Sequence, residues 1–286
     1  MRTIIITGAN SGLGFETAKK IAKDNNYQII LACRDLEKAS VAKDEIIKVS
    51  GNENIEVLEL DTSSLESVRN FVKTIENKNI KIYGLINNAG ISPMGHDGLS
   101  VDGVEIVCAT TYLGHFLLTN LLLPYMEDNG KILNVTSDMH NPPGGIEWKN
   151  PEELFHPKEN DRRKYSYSKL CNIYFTYELD EILRNVNSNI LVNAFNPGMM
   201  NTNFSGGHNS KARTRMVKLT MPERVGDLDK SSSALAQLMI NDDFKDTGKY
   251  YDRSTNYINS SELSYNIDNR KDLWNKSLLI TGLEEE

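Results

Sequence analysis

A phenol and an ammonium group stand four residues apart in the segment from Arg162 to Glu178, RRKYSYSKLCNIYFTYE. If this segment is helical, Tyr165 and Lys169 lie on one face with Cβ atoms roughly 5–6 Å apart. At that separation the lysine charge stabilises a tyrosinate and lowers a phenol pKa that is ordinarily about 10. The pair could therefore act as a general acid or base. The same spacing also arises by chance in helices without a chemical role. Whether this pair is catalytic therefore depends on what the rest of the chain places beside it.

A glycine-rich turn near the N-terminus has the features of a dinucleotide site. The apolar run from Thr3 to Thr7 predicts a buried parallel strand, and the run from Leu13 to Lys23 predicts an amphipathic helix. Between them, TGANSGLG would let the backbone approach a pyrophosphate at a helix N-terminus. A strand-to-helix turn without a ligand is the alternative. The candidate cofactor-binding residues of this turn are Gly8, Asn10, Ser11, Gly12, Leu13 and Gly14.

Polar residues at the ends of the second and third strands are candidates for holding the adenosine half of the cofactor. Arg34 suits a ribose 2′-phosphate and favours NADP over NAD, whereas Asp35, one residue later, is suited to capping the next helix. Asp61 could accept a hydrogen bond from the adenine amino group. Equally, Asp61 or Thr62 could only cap the helix that follows.

The fourth and fifth strands also end in small or polar residues. Asn88, Ala89 and Gly90 could keep the chain close to the cofactor, or could simply form a turn. If these two strands flank the point where the strand order reverses, Ser137 lies beside the ligand crevice. His140 has no visible acidic partner in the sequence and is interpreted as a solvated loop residue.

The alternation of strand and helix patterns predicts an α/β fold. We expect one domain over residues 1–286, a Rossmann-type doubly wound parallel sheet of about seven strands with helices on both faces. The apolar helix expected from about Val104 to Met126 would form core or a subunit interface. Residues 199–225 show no firm periodicity and are interpreted as a substrate lid.

Composition and charge restrict the classes of partner that the chain is expected to bind. A net charge of −7 without a basic stripe argues against nucleic-acid binding and for a small-molecule substrate. Cys33, Cys108 and Cys171 are not at metal-ligand spacing, so we expect buried thiols and no metal. The N-terminus runs straight into the first strand, leaving no room for a signal peptide, and no run reaches the ~20 apolar residues of a membrane span. A cytoplasmic location is therefore expected.

In combination, these motifs resemble the short-chain dehydrogenase/reductase family, from Thr3 almost to the end of the chain. The matching elements are TGANSGLG, Asp61, Asn-Asn-Ala-Gly, Ser137, YSYSK and the PGMMNT run. LACRDLEKA, LGHFLLTNLLLP and LWNKSLLITGL further resemble the branch that contains retinol dehydrogenases and light-dependent protochlorophyllide reductases. The separation of about 28 residues between Ser137 and Tyr165 also fits this branch.

The resemblance implies a role for each residue of the site. Tyr165 would exchange a proton with the substrate oxygen, Lys169 would lower the tyrosine pKa and hold the nicotinamide ribose, and Ser137 would hydrogen-bond the substrate oxygen. Thr111 stands where the family usually has an asparagine that helps to hold a water in the proton relay. Its hydroxyl can bind a water but lacks the amide geometry. The remaining cofactor-binding residues would be Pro197, Gly198 and Thr202, the last at the carboxamide.

Three functions are compatible with these residues. The leading hypothesis is an NADP(H)-dependent reductase or dehydrogenase acting on an aldehyde, ketone or alcohol with an apolar body. Cys171, two residues after Lys169, leaves a light-driven C=C reductase as an alternative. Thr111 leaves a cofactor-binding sensor or scaffold that has lost catalysis. The family also implies a homodimer through the two long helices.

Overall fold

One eight-stranded sheet organises the chain in the computed structural model, which describes residues 1–158, 161–200 and 210–283, without the side chains of 210–214. The spatial order is β3-β2-β1-β4-β5-β6-β7-β8, and all neighbouring strands are parallel except β7 and β8. The strands are β1 (Arg2–Thr7), β2 (Tyr27–Cys33), β3 (Ile55–Glu59), β4 (Ile82–Asn87), β5 (Met126–Val135), β6 (Leu191–Asn196), β7 (Tyr250–Asp252) and β8 (Tyr257–Ile258).

Helices cover both faces of the sheet. The helices are α1 (Gly12–Ile21), α2 (Leu36–Ser50), α3 (Leu65–Asn77), α4 (Ile106–Cys108), α5 (Gly114–Leu122), α6 (Pro151–Phe155), α7 (Lys164–Asn185), α8 (Ser210–Thr220), α9 (Leu228–Ile240) and α10 (Ile267–Thr281). A π-helical turn, Ala109–Leu113, joins α4 to α5. Helices α1, α2 and α9 pack on one face of the sheet, whereas α3, α5, α7 and α10 pack on the other.

The central strands are continuously apolar because each is buried on both faces. In β1, Ile4 and Ile6 contact the layer of α1 and α9, while Ile5 contacts the layer of α5 and α7. All three isoleucines are 0% exposed. Burying one such side chain contributes roughly 1.5–3 kcal/mol, so this strand anchors the two layers to each other.

The predicted fold class is confirmed, with three differences in detail. The sheet has eight strands in the described residues, because Tyr257–Ile258 adds a short antiparallel strand at the β7 edge. The strand order reverses between β1 and β4, and not between β4 and β5. The apolar helix expected to reach Met126 ends sooner: a 3₁₀ turn, Leu123–Tyr125, contains a proline and leads directly into β5.

The C-terminal helix α10 covers the two long helices for which a subunit interface was expected. The ring of Trp274 lies 5.0 Å from that of Phe116 in α5 and 6.0 Å from that of Phe175 in α7, measured between centroids. Arg270 forms an ion pair with Glu178 of α7, and both side chains are about nine-tenths buried. The apolar side chains of α5 and α7 therefore pack against a helix of the same chain.

Candidate active site

Tyr165 and Lys169 lie one turn apart in α7, as their spacing predicts. Nζ of Lys169 is 5.6 Å from the centroid of the Tyr165 ring. It donates a hydrogen bond to the carbonyl oxygen of Val135, the last residue of β5, at 2.9 Å. Burial lowers the pKa of Lys169 to about 7. An ammonium group that can change protonation near neutral pH thus lies beside the phenol.

Ser137 lies just beyond the end of β5, two residues from the carbonyl that accepts the Lys169 hydrogen bond. Its hydroxyl donates to Oδ1 of Asp138 at 3.2 Å and accepts from the backbone N–H of Met139 at 3.1 Å. The hydroxyl of the preceding residue, Thr136, donates to the carbonyl oxygen of Lys169 at 2.8 Å. These bonds join the strand end that carries Ser137 to the helix that carries the Tyr–Lys pair.

His140 is not a solvated loop residue, and that interpretation was wrong. Its side chain is buried, and its pKa is lowered chiefly by that burial. Nε2 accepts the backbone N–H of Ser261 at 3.0 Å, so the ring proton sits on Nδ1, which donates to the carbonyl oxygen of Ser137 at 2.7 Å. The ring therefore ties the backbone of Ser137 to the C-terminal segment.

Thr111 lies in the π-helical turn, where the N–H of Gly114 bonds to the carbonyl oxygen of Ala109 five residues earlier. Thr111 is 0% exposed, and its Oγ1 has no hydrogen-bond partner among the described residues. Gly114 packs against the carbonyl oxygen of Thr62, where a Cβ would be only 1.9 Å from that oxygen. A buried hydroxyl without a partner is unfavourable, so this position has capacity for a water or another polar group.

The carbonyl oxygen of Thr111 is bound by His115, a residue that sequence reasoning missed. Burial lowers the pKa of His115 to about 4, so the ring is neutral at pH 7. Nδ1 must donate to the Thr111 carbonyl at 3.1 Å, which leaves Nε2 to accept from the hydroxyl of Thr7 at 2.9 Å. The Thr7 hydroxyl in turn accepts the backbone N–H groups of Asn88 and Ala89, both at 2.9 Å.

The glycine loop has the geometry that a dinucleotide phosphate needs. Gly8 and Gly12 have φ values of +63° and +59°, which other residues rarely adopt. A Cβ on Gly14 would lie 2.6 Å from Nδ2 of Asn88. Ser11 caps α1 without a side-chain hydrogen bond, so no capping side chain blocks the N–H groups at the start of this helix. The residues present therefore fit a bound pyrophosphate.

The remaining loop residues pack around this geometry. Leu13 is buried against the core, and Asn10 is partly buried. Gly90 directly follows the Asn88 and Ala89 that are bound to Thr7. The first βα turn and the segment after β4 thus approach each other where the strand order reverses, which is where open α/β sheets bind ligands.

Arg34 and Asp61 lie side by side just beyond the ends of β2 and β3. Nη1 of Arg34 is 3.9 Å from Oδ2 of Asp61, and the arginine side chain is 68% exposed. Asp35 caps α2 by accepting the N–H of Lys38, as one interpretation predicted. The expectation that Asp61 or Thr62 caps α3 was wrong, because Ser64 occupies the N-cap position.

Asp61 and Thr62 bond within or beside their own turn. Oδ1 of Asp61 accepts from the N–H and the hydroxyl of Ser63, at 2.9 and 2.6 Å. The hydroxyl of Thr62 donates to the carbonyl oxygen of Thr110 in the π-helical turn at 2.9 Å. Oδ2 of Asp61 faces Arg34, so the acid and the base at this end of the crevice are held side by side.

Pro197 and Gly198 follow β6 on the opposite side of the crevice. The Pro197 carbonyl oxygen accepts from the hydroxyl of Ser231 at 2.9 Å. Gly198 has φ +73°, and a Cβ there would lie 2.8 Å from the backbone of Gly226. The turn is therefore compact and specific to glycine. Thr202, expected at the carboxamide, lies outside the described residues.

A family comparison agrees with this arrangement. The family model described as short chain dehydrogenase matches residues 2–146, which is half of the chain. The chain is a short-chain dehydrogenase. The matched region contains the glycine loop, the Asn-Asn-Ala-Gly segment, the π-helical turn and Ser137, while Tyr165 and Lys169 lie beyond it.

Individual relatives place this dehydrogenase in the retinol dehydrogenase-like branch. Human retinol dehydrogenase 13 is 34% identical over 99% of this chain and 85% of its own length. Human polyprenol dehydrogenase is 30% identical over 99% of this chain and 86% of its own. The crystal structure of an uncharacterised protein from Mycobacterium paratuberculosis matches with a TM-score of 0.73 and 31% identity over 99% of this chain and 94% of that one. Hydride-transfer oxidoreductase activity follows from this membership.

The cytoplasmic location expected from the sequence is wrong. Retinol dehydrogenase 13 and polyprenol dehydrogenase, which match nearly the whole chain, are typically membrane-associated proteins. The expectation that no run reaches the length of a membrane span also fails, because the helical stretch Ile106–Tyr125 is long and apolar enough to cross a membrane by length and composition, although most of it is buried inside the fold.

Proposed function

We propose that this dehydrogenase uses NADP(H) to transfer hydride between nicotinamide and a carbonyl or alcohol group on a substrate with an apolar body. The observation that carries the proposal is the buried Lys169, whose pKa is lowered to about 7, lying beside the Tyr165 ring and bonded to the strand end that leads to Ser137. Acid–base chemistry at neutral pH needs groups whose protonation can change there. The nicotinamide, when bound, supplies or accepts the hydride.

Each catalytic side chain has one task in carbonyl reduction. The Tyr165 hydroxyl gives its proton to the substrate oxygen, which becomes the alcohol O–H. The Ser137 hydroxyl donates a hydrogen bond to the same oxygen as negative charge develops on it. Lys169, when protonated, stabilises the tyrosinate that remains. Oxidation of the alcohol runs the same proton transfers in reverse.

The orphaned hydroxyl of Thr111 supports a proton path behind the lysine. It is fully buried in the π-helical turn, and the nearby His115 of α5 is close enough to Lys169 for the lysine charge to help lower its pKa. A water accepted at Thr111 would connect the lysine to the crevice and restore the proton that Tyr165 has given away. Thr111 would thus serve where relatives of this family usually have an asparagine.

Arg34 supports NADP(H) in preference to NAD(H). Its guanidinium is exposed at the end of β2, where a ribose 2′-phosphate would lie. Asp61 offsets part of this charge at 3.9 Å and holds the arginine at the crevice. A dianionic phosphate competes well for an arginine because its oxygens match the guanidinium geometry.

The names of the relatives support an apolar substrate class. Retinol and polyprenol each present one hydroxyl at the end of a long hydrocarbon, which is the substrate shape that the proposed chemistry needs. Residues 199–225 are proposed as a lid over such a substrate; residues 201–209 of this segment lie outside the part of the chain that the structure describes, whereas helix α8 lies within it. Light-driven C=C reduction has less support, because Cys171 is 0% exposed and offers no thiol to a ligand.

Replacement of Tyr165 by phenylalanine tests the mechanism. We expect Tyr165→Phe to lower kcat at least about 10²-fold for NADPH-dependent reduction of all-trans-retinal and nonanal, because the proton donor is removed. NADPH affinity, measured by fluorescence titration, should stay within about twofold. The matched control is Tyr167→Phe, which removes a phenol two residues away in the same helix and should leave kcat unchanged.

A second candidate function, cofactor binding without turnover, is favoured by one observation. The Thr111 position lacks the usual amide, and its hydroxyl has no partner among the described residues. Tight NADPH binding with no turnover on aldehydes, ketones and quinones, or with alcohols and NADP⁺, would support this candidate and overturn the enzymatic proposal.

A further inference from the structure

Arg224 reaches back from the segment after α8 to the turn that carries Ser137. Its Nε is 3.7 Å from Oδ2 of Asp138, the residue that follows Ser137. Its two terminal nitrogens contact the Met139 sulfur at 3.5 Å and the Asn141 carbonyl oxygen at 3.3 Å. Less than a quarter of either charged side chain in this ion pair is exposed, so solvent screens the pair only in part.

The backbone of Arg224 is fixed to the segment that follows β6. Its carbonyl oxygen accepts the N–H of Met199 at 2.8 Å, and the carbonyl oxygen of Met199 accepts the N–H of Gly226 at 2.8 Å. A Cβ on Gly226 would lie 2.0 Å from the Pro197 carbonyl oxygen, so this approach requires glycine. The Arg224 side chain therefore links the Pro197–Gly198 turn to the turn of Ser137.

The Ser137 hydroxyl has a single proton, and it donates that proton in a hydrogen bond to the Asp138 carboxylate. Oγ donates to Oδ1 of Asp138 at 3.2 Å, while a lone pair accepts the N–H of Met139 at 3.1 Å. A carboxylate is a strong acceptor, so this bond competes with donation to a substrate oxygen. The role proposed for Ser137 requires that its hydrogen bond to Asp138 break when substrate is present, so that the hydroxyl can donate to the substrate oxygen.

We propose that Arg224 is a positioning residue that weakens the hydrogen bond from Ser137 to the Asp138 carboxylate and so makes the serine hydroxyl available to the substrate oxygen. A cation at Oδ2 withdraws charge from the carboxylate and weakens it as an acceptor at Oδ1. This inference rests on the role of Ser137 in the proposed function.

A double-mutant cycle tests the inference. We expect Arg224→Gln to lower kcat for NADPH-dependent nonanal reduction about tenfold, less than the loss of an oxyanion donor itself, with KM and NADPH affinity within about twofold. In an Asp138→Ala background the same change should alter kcat by less than about twofold, because no carboxylate then holds the Ser137 proton. Arg224→Lys should retain most of the wild-type kcat.

The control is Arg184→Gln, which removes the same charge from an exposed position near the C-terminal end of α7 and should leave kcat unchanged. Thermal unfolding followed by circular dichroism confirms that each variant folds, and Arg224→Lys against Asp138→Ala completes the cycle if Arg224→Gln does not. Equal losses in both backgrounds, or no loss in either, would overturn the inference. If Tyr165→Phe abolishes turnover and Arg224→Gln does not affect it, the inference fails while the proposed function stands.

Discussion

Nε2 of His115 lies 2.9 Å from Oγ1 of Thr7, although 108 positions separate the two residues in the chain. Because the other ring nitrogen donates to the Thr111 carbonyl, the neutral imidazole has one tautomer and one orientation. Through Thr7 it also orients the N–H groups of Asn88 and Ala89. A single buried ring thus sets the relative positions of the cofactor loop and the Thr111 turn.

Acid should therefore destabilise the fold through His115. In the unfolded chain this ring takes up a proton below its ordinary pKa of 6.5, whereas in the fold it stays neutral down to about 4. The unfolded state binds more protons within that window, so stability falls as pH falls through it. Between pH 7 and pH 4.5 we expect the free energy of unfolding of the wild type to fall by about 2 kcal/mol more than that of His115→Gln. Urea unfolding at both pH values measures the two changes. Equal decreases in the free energy of unfolding of the two proteins would show that His115 is not the source of the acid sensitivity.

Thr111→Val should separate the chemical role of the hydroxyl from its structural effect. Valine keeps the shape and removes an orphaned buried polar atom, so stability should be unchanged or higher by up to about 1 kcal/mol. If the hydroxyl holds a relay water, kcat should fall about tenfold in the same variant. Thr111→Asn, which restores an amide, should match or exceed the wild-type kcat. A valine variant with full activity would show that protons leave by another route.

Cofactor preference should depend on Arg34. Arg34→Gln removes the charge proposed to meet the 2′-phosphate, so the Kd for NADPH should rise about tenfold, equivalent to about 1.4 kcal/mol, while the Kd for NADH changes little. Fluorescence titration of both nucleotides measures the difference. Lys38→Gln, at an exposed lysine on the adjoining helix, is the matched control and should affect both nucleotides equally. A wild type that prefers NADH would remove this role for Arg34.

The packing of α10 predicts a monomer, in place of a dimer through the two long helices. Trp274→Ala should lower the free energy of unfolding by about 2–3 kcal/mol, because a partly buried indole between two phenylalanines is lost. The exposed apolar face should then promote self-association, which sedimentation velocity detects. Leu279→Ala, on the exposed side of the same helix, should neither lower the free energy of unfolding nor promote self-association. A wild-type dimer that dissociates when α10 is altered would contradict this prediction.

Local patterns predicted most of the sheet and half of the site. The isoleucine run of β1, the glycine turn and the Tyr165–Lys169 spacing each depend on neighbours in the chain, so their sequence signatures are short and readable. β8 escaped prediction because two residues, Tyr257–Ile258, are too few to show alternation. Its existence depends on pairing with β7.

Residues whose partners are distant in the chain could not be assigned from sequence. His140 was misread because its acceptor role depends on Ser261, 121 positions away. His115 stands in the apolar segment LGHFLL, and that polar interruption of a buried helix was the one signal that could have marked it. Asn172 was also missed because its partner is distant in the chain. Its Nδ2 donates to the Val135 carbonyl oxygen at 3.2 Å, the same oxygen that accepts from Lys169. Fold-level contacts create these roles.

The π-helical turn contains one residue more than an α-helical turn would at the same place. If this turn closed into a regular α-helix with all its residues kept, everything after it would rotate by about 100°. Gly114 would then swing away from the Thr62 carbonyl, and His115 would no longer face Thr7. The hydrogen bond that spans five residues, from the Gly114 N–H to the Ala109 carbonyl oxygen, therefore sets the direction in which the side chains of α5 point.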